Sequence, residues 1–393
     1  MRYAYIKYGN VVDELGAIGP SPEHVDQGGP LAFAGGFLRM VGSDPALMMS
    51  VVPRRQPKMH LERGSIQARN FAADTTMTSA FAAVAMFLQL LRFRATVIIC
   101  VRDAWFLWLA YLAAHLTHAR FVHSRQRAIR VAGDSWRRRV VALVDVLVLR
   151  RADSVVCHGP FAAHQLIVAG VPQTKVVEFD VDFDDLLAEA DKASAAPAVA
   201  RDTGRRRVAF VGRIEASKGV FDLLEACLPL LETYDDVDLL FVGDGAGRGR
   251  LQEIVAEKRL SERVVFTGHV PHAQIGVQLR GAVALVTPTR HGLEGWPMSA
   301  LEGLAIGVPV IAPDAGPFRF MIQRGVNGLL FSVNSVADLR AQLQLLLADP
   351  RLQTRLAHGA LQSAAQRAQN HKTFALALSE ACQSPTAVLS QRT

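Results

Sequence analysis

A chain of 393 residues is longer than one ordinary hydrophobic core sustains and fits two domains of roughly 150 to 200 residues each. Half of the residues are hydrophobic and 20% are charged, a globular balance that excludes a disordered or fibrous chain, and the net charge is +7. Cys100, Cys157, Cys227 and Cys382 lie far apart with no paired metal-ligand spacing, so they read as buried free thiols in a reducing cytoplasm.

The first predicted element is a strand from Tyr3 to Lys7, and Gly9-Asn10 follows before any apolar run long enough for a signal peptide. Secretion is therefore not expected. Gly28-Gly29 precedes an amphipathic stretch that predicts a helix from Pro30 to Val41, followed by a strand from Leu47 to Val52. The oiliest region, Ala80 to Leu116, is interrupted by Arg92, Arg94, Arg102 and Asp103, so neither half reaches the ~20 apolar residues of a membrane span. It reads as two buried helices, Thr76 to Leu91 and Trp105 to Leu116, around a strand from Thr96 to Val101. A strand from Arg120 to His123, a helix from Trp136 to Leu149, and strands Ser154 to Cys157 and Lys175 to Glu178 complete a first nucleotide-type fold. Between positions 120 and 151, nine arginines meet only Asp134 and Asp145, a local charge of +7. That stretch is either a solvated helix face or a contact for anionic lipid or an acidic, lipid-linked acceptor, which would place the protein on the inner face of the cytoplasmic membrane. No aromatic interleaving accompanies the arginines, so no nucleic-acid partner is expected.

Ala188 to Arg206 is alanine-rich, contains Pro197 and Gly204, and has no periodic apolar face; it reads as a linker. From Val208 onward short β-branched runs alternate with helical stretches, the pattern of a parallel sheet wrapped by helices. The strands predicted are Val208 to Val211, Asp238 to Val242, Val264 to Thr267, Ala282 to Thr287, Val308 to Ala312 and Gly328 to Phe331. Helices fall at Val220 to Glu232, Gly249 to Lys258, Met298 to Ile306 and Val336 to Leu347, with a helical tail from Arg351 to Gln369 and from Lys372 to Ala381. The implied division is an N-terminal domain over 1–187, the linker over 188–206, a second domain over 207–365 and a tail over 366–393.

Two clusters carry chemistry. In Val208-Ala209-Phe210-Val211-Gly212-Arg213-Ile214-Glu215-Ala216-Ser217-Lys218-Gly219, a strand runs into a basic, glycine-flanked loop at the carboxyl edge of the sheet, where open α/β folds bind ligands. Gly212 permits close backbone approach, Arg213 presents a fork of parallel donors, and Lys218 adds a compact charge, a set that suits a diphosphate. In the second cluster a strand ends in Pro288-Thr289-Arg290-His291-Gly292-Leu293-Glu294-Gly295-Trp296-Pro297 before a helix, which puts Glu294 in the loop and Glu302 on the helix. The free N–H groups of that helix start favour phosphate, and a carboxylate one turn deeper can accept from two neighbouring hydroxyls, as a ribose presents. Asp180-Val181-Asp182 follows a strand and reads as a capping or turn element rather than a metal pair, while His158 and His291 read as polar neighbours.

Gly212-Arg213 with Lys218-Gly219, then Glu294-Gly295-Trp296-Pro297 and Leu301-Glu302-Gly303-Leu304-Ala305-Ile306-Gly307-Val308-Pro309, resembles family 4 retaining glycosyltransferases. Gly243-Asp244-Gly245 and Gly325-Val326-Asn327-Gly328 extend the resemblance across Val208 to Phe331. It implies a GT-B architecture: two Rossmann-like, doubly wound α/β domains facing across a cleft, with a C-terminal helix packing back on the first domain. It also implies that Arg213 and Lys218 hold the diphosphate of a nucleotide-sugar donor, Glu302 its ribose and Glu294 its sugar, with Gly212, Gly295 and Trp296 in the same site. Gly28-Gly29 corresponds to the family's glycine loop near the phosphates and acceptor, and His123 to a histidine that touches the donor sugar. No cofactor and no metal are implied, because the cations are side chains. The sequence departs from the family at Gly316 to Ile322, which lacks the usual glutamate, and at Phe179-Asp180, which replaces an Asn-Gly.

The resemblance leads to a retaining glycosyltransferase acting on a glycan or lipid-linked acceptor in surface polysaccharide or glycoconjugate synthesis. A nucleotide-sugar epimerase of the same double fold, or an inactive binding subunit, would use a similar phosphate clamp. A dehydrogenase fits poorly, since Gly243-Asp244-Gly245-Ala246-Gly247 follows a later strand and lacks dinucleotide-type glycine spacing.

Overall fold

The structure, a computed structural model, describes residues 1–18, 29–53, 59–125, 136–180, 205–290 and 296–383. The chain divides into two compact units, Met1–Val181 with Lys372–Thr393, and Asp182–His371. The first contains β1 (Tyr3–Ile6), α1 (Val11–Ala17), α2 (Gly29–Val41), β2 (Ala46–Val52), β3 (His60–Arg63), β4 (Ile66–Ala72), α3 (Thr76–Phe93), β5 (Val97–Cys100), α4 (Trp105–Thr117), β6 (Arg120–Arg125), α5 (Trp136–Arg151), β7 (Ser154–His158), α6 (Gly159–Val168) and β8 (Val176–Phe179). The second contains β9 (Arg206–Val211), α7 (Val220–Thr233), β10 (Val237–Val242), α8 (Arg248–Glu257), β11 (Val264–Gly268), α9 (Ile275–Leu279), β12 (Ala282–Val286), α10 (Met298–Ala305), β13 (Val310–Pro313), α11 (Phe318–Met321), β14 (Gly328–Phe331), α12 (Val336–Ala348) and α13 (Pro350–Asn370). A last helix, α14 (Phe374–Cys382), belongs to the first unit.

The first sheet is ordered β3-β4-β2-β1-β5-β6-β7-β8, parallel except for the β3–β4 hairpin. Its inner strands are apolar on both faces because helices cover both. One face packs Ile6, Ile98, Phe121 and Val155 against α3, α4, α5 and α6. The other packs Tyr5, Met48, Ile99 and Val122 against α1, α2 and α14. The second sheet is ordered β11-β10-β9-β12-β13-β14, wholly parallel, with the chain leaving β9 outward in both directions. Phe210, Leu239 and Ala284 face α7 and α12, whereas Ala209, Leu240 and Leu285 face the opposite side.

Local chemistry sets the helix starts. Thr75 and Thr78 form a reciprocal capping box at α3, Ser335 accepts from Asp338 N at α12, and Asp349 accepts from Arg351 N and Leu352 N ahead of Pro350 at α13. Each cap of this type is worth about 1 kcal/mol.

The strands and helices of the second unit fall within a few residues of those predicted, and α9 and α11 are added. In the first unit the sequence reading missed α1, β3, β4 and α6. The hairpin strands are polar and half-exposed, α1 spans only seven residues, and α6 starts at Gly159-Pro160, which reads as a turn. The two helices of the oily region are not wholly buried as expected: α3 exposes Phe81 and α4 exposes Leu116. Of the predicted linker, Ala188 to Arg206, positions 188–204 lie outside the described residues, as do Val181 and Asp182, while Arg206 already opens β9. Asp180 donates its N–H to Lys372 O, a turn contact within the first unit. All four cysteines are buried and free.

Burial also fixes two histidines as neutral groups. His123, fully buried within β6, and His158, stacked on Phe179 with centroids 4.7 Å apart, are each pushed down to about 4 by desolvation. The unfolded chain takes up these protons near pH 6.5, so the stability these groups confer is complete above that pH and is lost as pH falls through 6.5 toward 4. His158→Phe keeps the ring stack and removes one titration. Its Tm should fall less steeply than that of the native protein between pH 6.5 and 4, measured by thermal unfolding; identical slopes would contradict the assignment.

Candidate active site

In the second sheet the strand order reverses between β9 and β12, and a doubly wound sheet opens a crevice at the carboxyl ends of such a strand pair. A cavity of about 360 Å³ lies there, lined by Gly212, Arg213 and Lys218 after β9, by Thr287 and Thr289 after β12, and by Trp296 and Glu302 at the start of and along α10. The structure therefore brings together five of the predicted residues, Gly212, Arg213, Lys218, Trp296 and Glu302, all within the second unit. Glu294, Gly295, His291 and Gly28 lie outside the described residues. Gly29 is the first residue of α2.

The two loops that form the crevice are held to each other. Arg290 donates to Asp222 with its Nε at 2.7 Å and also through its Nη2, and its backbone N–H reaches Ser217 O at 3.3 Å. Gly219 adopts φ 71°, and a Cβ there would stand 1.8 Å from the Pro288 carbonyl oxygen, so only glycine lets the two turns touch. Gly243, with φ 134°, is similarly pressed on Gly212 O, which would lie 2.0 Å from an added Cβ.

The charges are graded by burial. Arg213 is exposed and paired with Glu215 at 2.8 Å, leaving most of its guanidinium turned to water. Glu302 is buried and accepts from or pairs with His272 Nε2 at 2.8 Å. The Thr287 hydroxyl is buried and has no hydrogen-bond partner among the described residues, a polar group directed into a lined cavity. Pro297 caps α10 without a side-chain bond, and the first backbone bonds there are those of Ala300 and Leu301 to Pro297 O, so the Met298 and Ser299 N–H groups precede the helical ladder beside the cavity. Trp296 is buried with the Arg367 guanidinium 5.5 Å from its ring centroid.

His123 belongs to the first unit, where it shares the carboxyl ends of β5 and β6 with Asp103, Arg125 and Asp145. Its Nε2 stands 3.9 Å from Asp103 Oδ1, and Arg125 Nη1 stands 3.3 Å from the same oxygen. Asp145, on α5, accepts from Trp108 Nε1 at 2.7 Å and from Ala104 N at 3.2 Å, and burial pushes it up to about 6. Nearby, at the end of β1, buried Lys7 pairs with Glu14; desolvation lowers the lysine and raises the carboxyl.

Sequence reasoning missed Thr287 and Thr289, and also Ile275 and Phe318, which complete the cavity wall. Thr287 is the last residue of a predicted strand, and only its position at the reversal of strand order distinguishes it. His272 carried no signal, since its contact with Glu302 depends on α9 and α10 lying side by side.

Residues 191–363 match the family described as Glycosyl transferases group 1. The chain is 29% identical over 234 residues to the 2-deoxystreptamine glucosyltransferase of Streptomyces kanamyceticus, covering 57% of this chain and 56% of that protein. It is 29% identical over 222 residues to the lipopolysaccharide core biosynthesis mannosyltransferase of Rhizobium meliloti, covering 54% of this chain and 60% of that one. The chain thus spans little more than half the length of these curated relatives. Among solved structures, the Anabaena protein HepE in complex with UDP superposes with a TM-score of 0.68 at 16% identity, over 100% of both chains. The fold is accordingly of the GT-B class.

Gly219→Ala tests the loop contact. Left-handed backbone alone costs an alanine about 1 to 2 kcal/mol, and the Pro288 oxygen adds a clash, so Tm should drop. An unchanged Tm would mean that the turns are not in contact.

Proposed function

We propose that the protein transfers a sugar from a nucleotide-diphosphate-sugar to a hydroxyl of a glycan or lipid-linked acceptor, with retention of anomeric configuration, in surface polysaccharide or glycoconjugate synthesis. The observation that carries this reading is the cavity at the β9–β12 reversal, which assembles two cations, a buried carboxylate and a helix start around one space. The family match over 191–363, the UDP bound in the HepE structure and the lipopolysaccharide mannosyltransferase among the relatives support the same chemistry.

In this reading the diphosphate lies against the Gly212 backbone, Arg213, Lys218 and the start of α10. The bond from the sugar C1 to the diphosphate oxygen breaks, and its electron pair leaves on that oxygen, where the cations and N–H groups stabilise it. The acceptor oxygen bonds to C1, and its proton passes to a diphosphate oxygen. Glu302 exchanges its His272 partner for the two ribose hydroxyls, so the buried carboxylate is satisfied in both states. Glu294 takes the donor sugar, with Gly295 beside it, and His123 and the Gly28-Gly29 loop serve the sugar and acceptor. Because side chains supply the positive charge, the transfer needs no metal and no cofactor. The four reduced, buried cysteines favour action in the cytoplasm.

A screen of nucleotide sugars by thermal shift tests the clamp: one donor should raise Tm, and Lys218→Ala should abolish that rise. With the matching acceptor, the same variant should lose on the order of hundredfold in rate, roughly 3 kcal/mol of leaving-group stabilisation. Chelator should leave turnover unchanged, and NMR of the product should give the donor's anomeric configuration. Donor consumption without an acceptor would favour an epimerase, binding without turnover an inactive subunit, and an inverted linkage would end the retaining assignment.

A further inference from the structure

The helices that cover one face of the first sheet are apolar on two sides. Inward, α3, α4, α5 and α6 supply Met86, Leu107, Leu149 and Leu166 to the core. Outward, α3 presents Met77, Phe81, Val84 and Leu88, which recur at intervals of four, three and four residues and are 69%, 68%, 48% and 48% exposed. On α4, Trp105, Leu112 and Leu116 repeat the pattern, and on α5 so do Val140, Leu143 and Leu147. These helices are neighbours, α3 against α4 and α4 against α5. Between α5 and α6 a groove of about 670 Å³ is walled by Ala142, Leu143, Val146 and Val168, with Arg139 at its side. Burial of the inner faces explains the fold of these helices. It gives no reason for the outer stripes, since a helix that covers one face of a sheet needs only one apolar side.

Charge identifies what the face meets. Residues 77–151 contain twelve arginines and three aspartates, a local +9 in a chain whose total is +7, so everything outside this stretch sums to −2. Arg92, Arg94, Arg139, Arg150 and Arg151 are exposed on α3 and α5 or just beyond α3, beside the apolar stripes. A second copy of the chain would set these five arginines against their like, whereas an anionic surface would be attracted to them. The combination of outward apolar side chains, an exposed tryptophan and arginines is that of an interfacial contact, the apolar side chains entering the acyl boundary and the guanidinium groups meeting phosphates. No helix among the described residues is long and apolar enough to cross a membrane.

We propose that the outer face of α3, α4, α5 and α6 docks on an anionic phospholipid bilayer, with the α5–α6 groove facing the lipid. The proposal concerns the first unit and stands or falls independently of the donor site.

Flotation of the full chain with vesicles decides it. The protein should float with vesicles of phosphatidylcholine containing phosphatidylglycerol, and remain below with phosphatidylcholine alone or at high salt. Phe81→Asp combined with Leu143→Asp should lower the floating fraction roughly tenfold or more, while Val265→Asp with Leu345→Asp, exposed positions in the second unit, should float as the native chain does. Thermal unfolding of both double variants separates loss of docking from loss of fold. Equal flotation of the Phe81/Leu143 variant, or equal binding to neutral vesicles, would overturn the proposal. So would a native dimer that ignores vesicles and is dispersed by the same substitutions.

Discussion

A parallel sheet whose chain departs from its first strand in both directions cannot close the space above that strand's carboxyl end, because the two connecting loops leave on opposite sides. In the second unit that strand is β9 and its neighbour across the reversal is β12. Everything proposed for the site depends on this gap. Gly212, Arg213 and Lys218 reach it because they follow β9, Thr287 and Thr289 because they follow β12, and Glu302 because α10 starts at its rim. The Arg290–Asp222 pair and the Gly219–Pro288 contact tie the turn after β9 to the turn after β12.

Within that geometry, burial sorts the ionisable groups by task. The most exposed cation, Arg213, retains its hydration and is free to meet a ligand's charge at the mouth, with Glu215 as a side partner. The buried acid, Glu302, is never left alone, since an unpaired carboxylate at that depth would be costly. In the first unit burial outweighs attraction: His123 and His158 each have a carboxylate oxygen 3.9 Å away, of Asp103 and of Asp180, yet desolvation keeps both neutral, and Asp145 is shifted upward despite two hydrogen bonds. A neutral His123 is a hydrogen-bonding group rather than a charge.

Much of the second unit was legible in the sequence because fully buried parallel strands read as short β-branched runs punctuated by glycine turns. Gly328 to Phe331 matches the observed strand, and Val220 and Met298 mark the observed starts of α7 and α10. The residues that line the cavity after β9 were legible too, since Gly212, Arg213 and Lys218 lie in one contiguous loop. What escaped depends on tertiary proximity. His272 meets Glu302 only when α9 and α10 pack together, and Thr287 is an ordinary strand end until the strand order is known. In the first unit, the polar edge strands β3 and β4 carry no periodic apolar signal. The oiliness of Ala80 to Leu116, read as burial, is divided between a core side and an exposed side that composition cannot separate.

The central claim is that the β9–β12 crevice grips a nucleoside diphosphate, and a crystal structure of the full chain with UDP or another nucleoside diphosphate tests it most directly. The account predicts diphosphate oxygens within hydrogen-bond distance of Gly212 N, Arg213 and Lys218, with ribose hydroxyls on Glu302 in place of His272. Crystals saturated with nucleotide in which Glu302 still holds His272 and the phosphates lie elsewhere would contradict it.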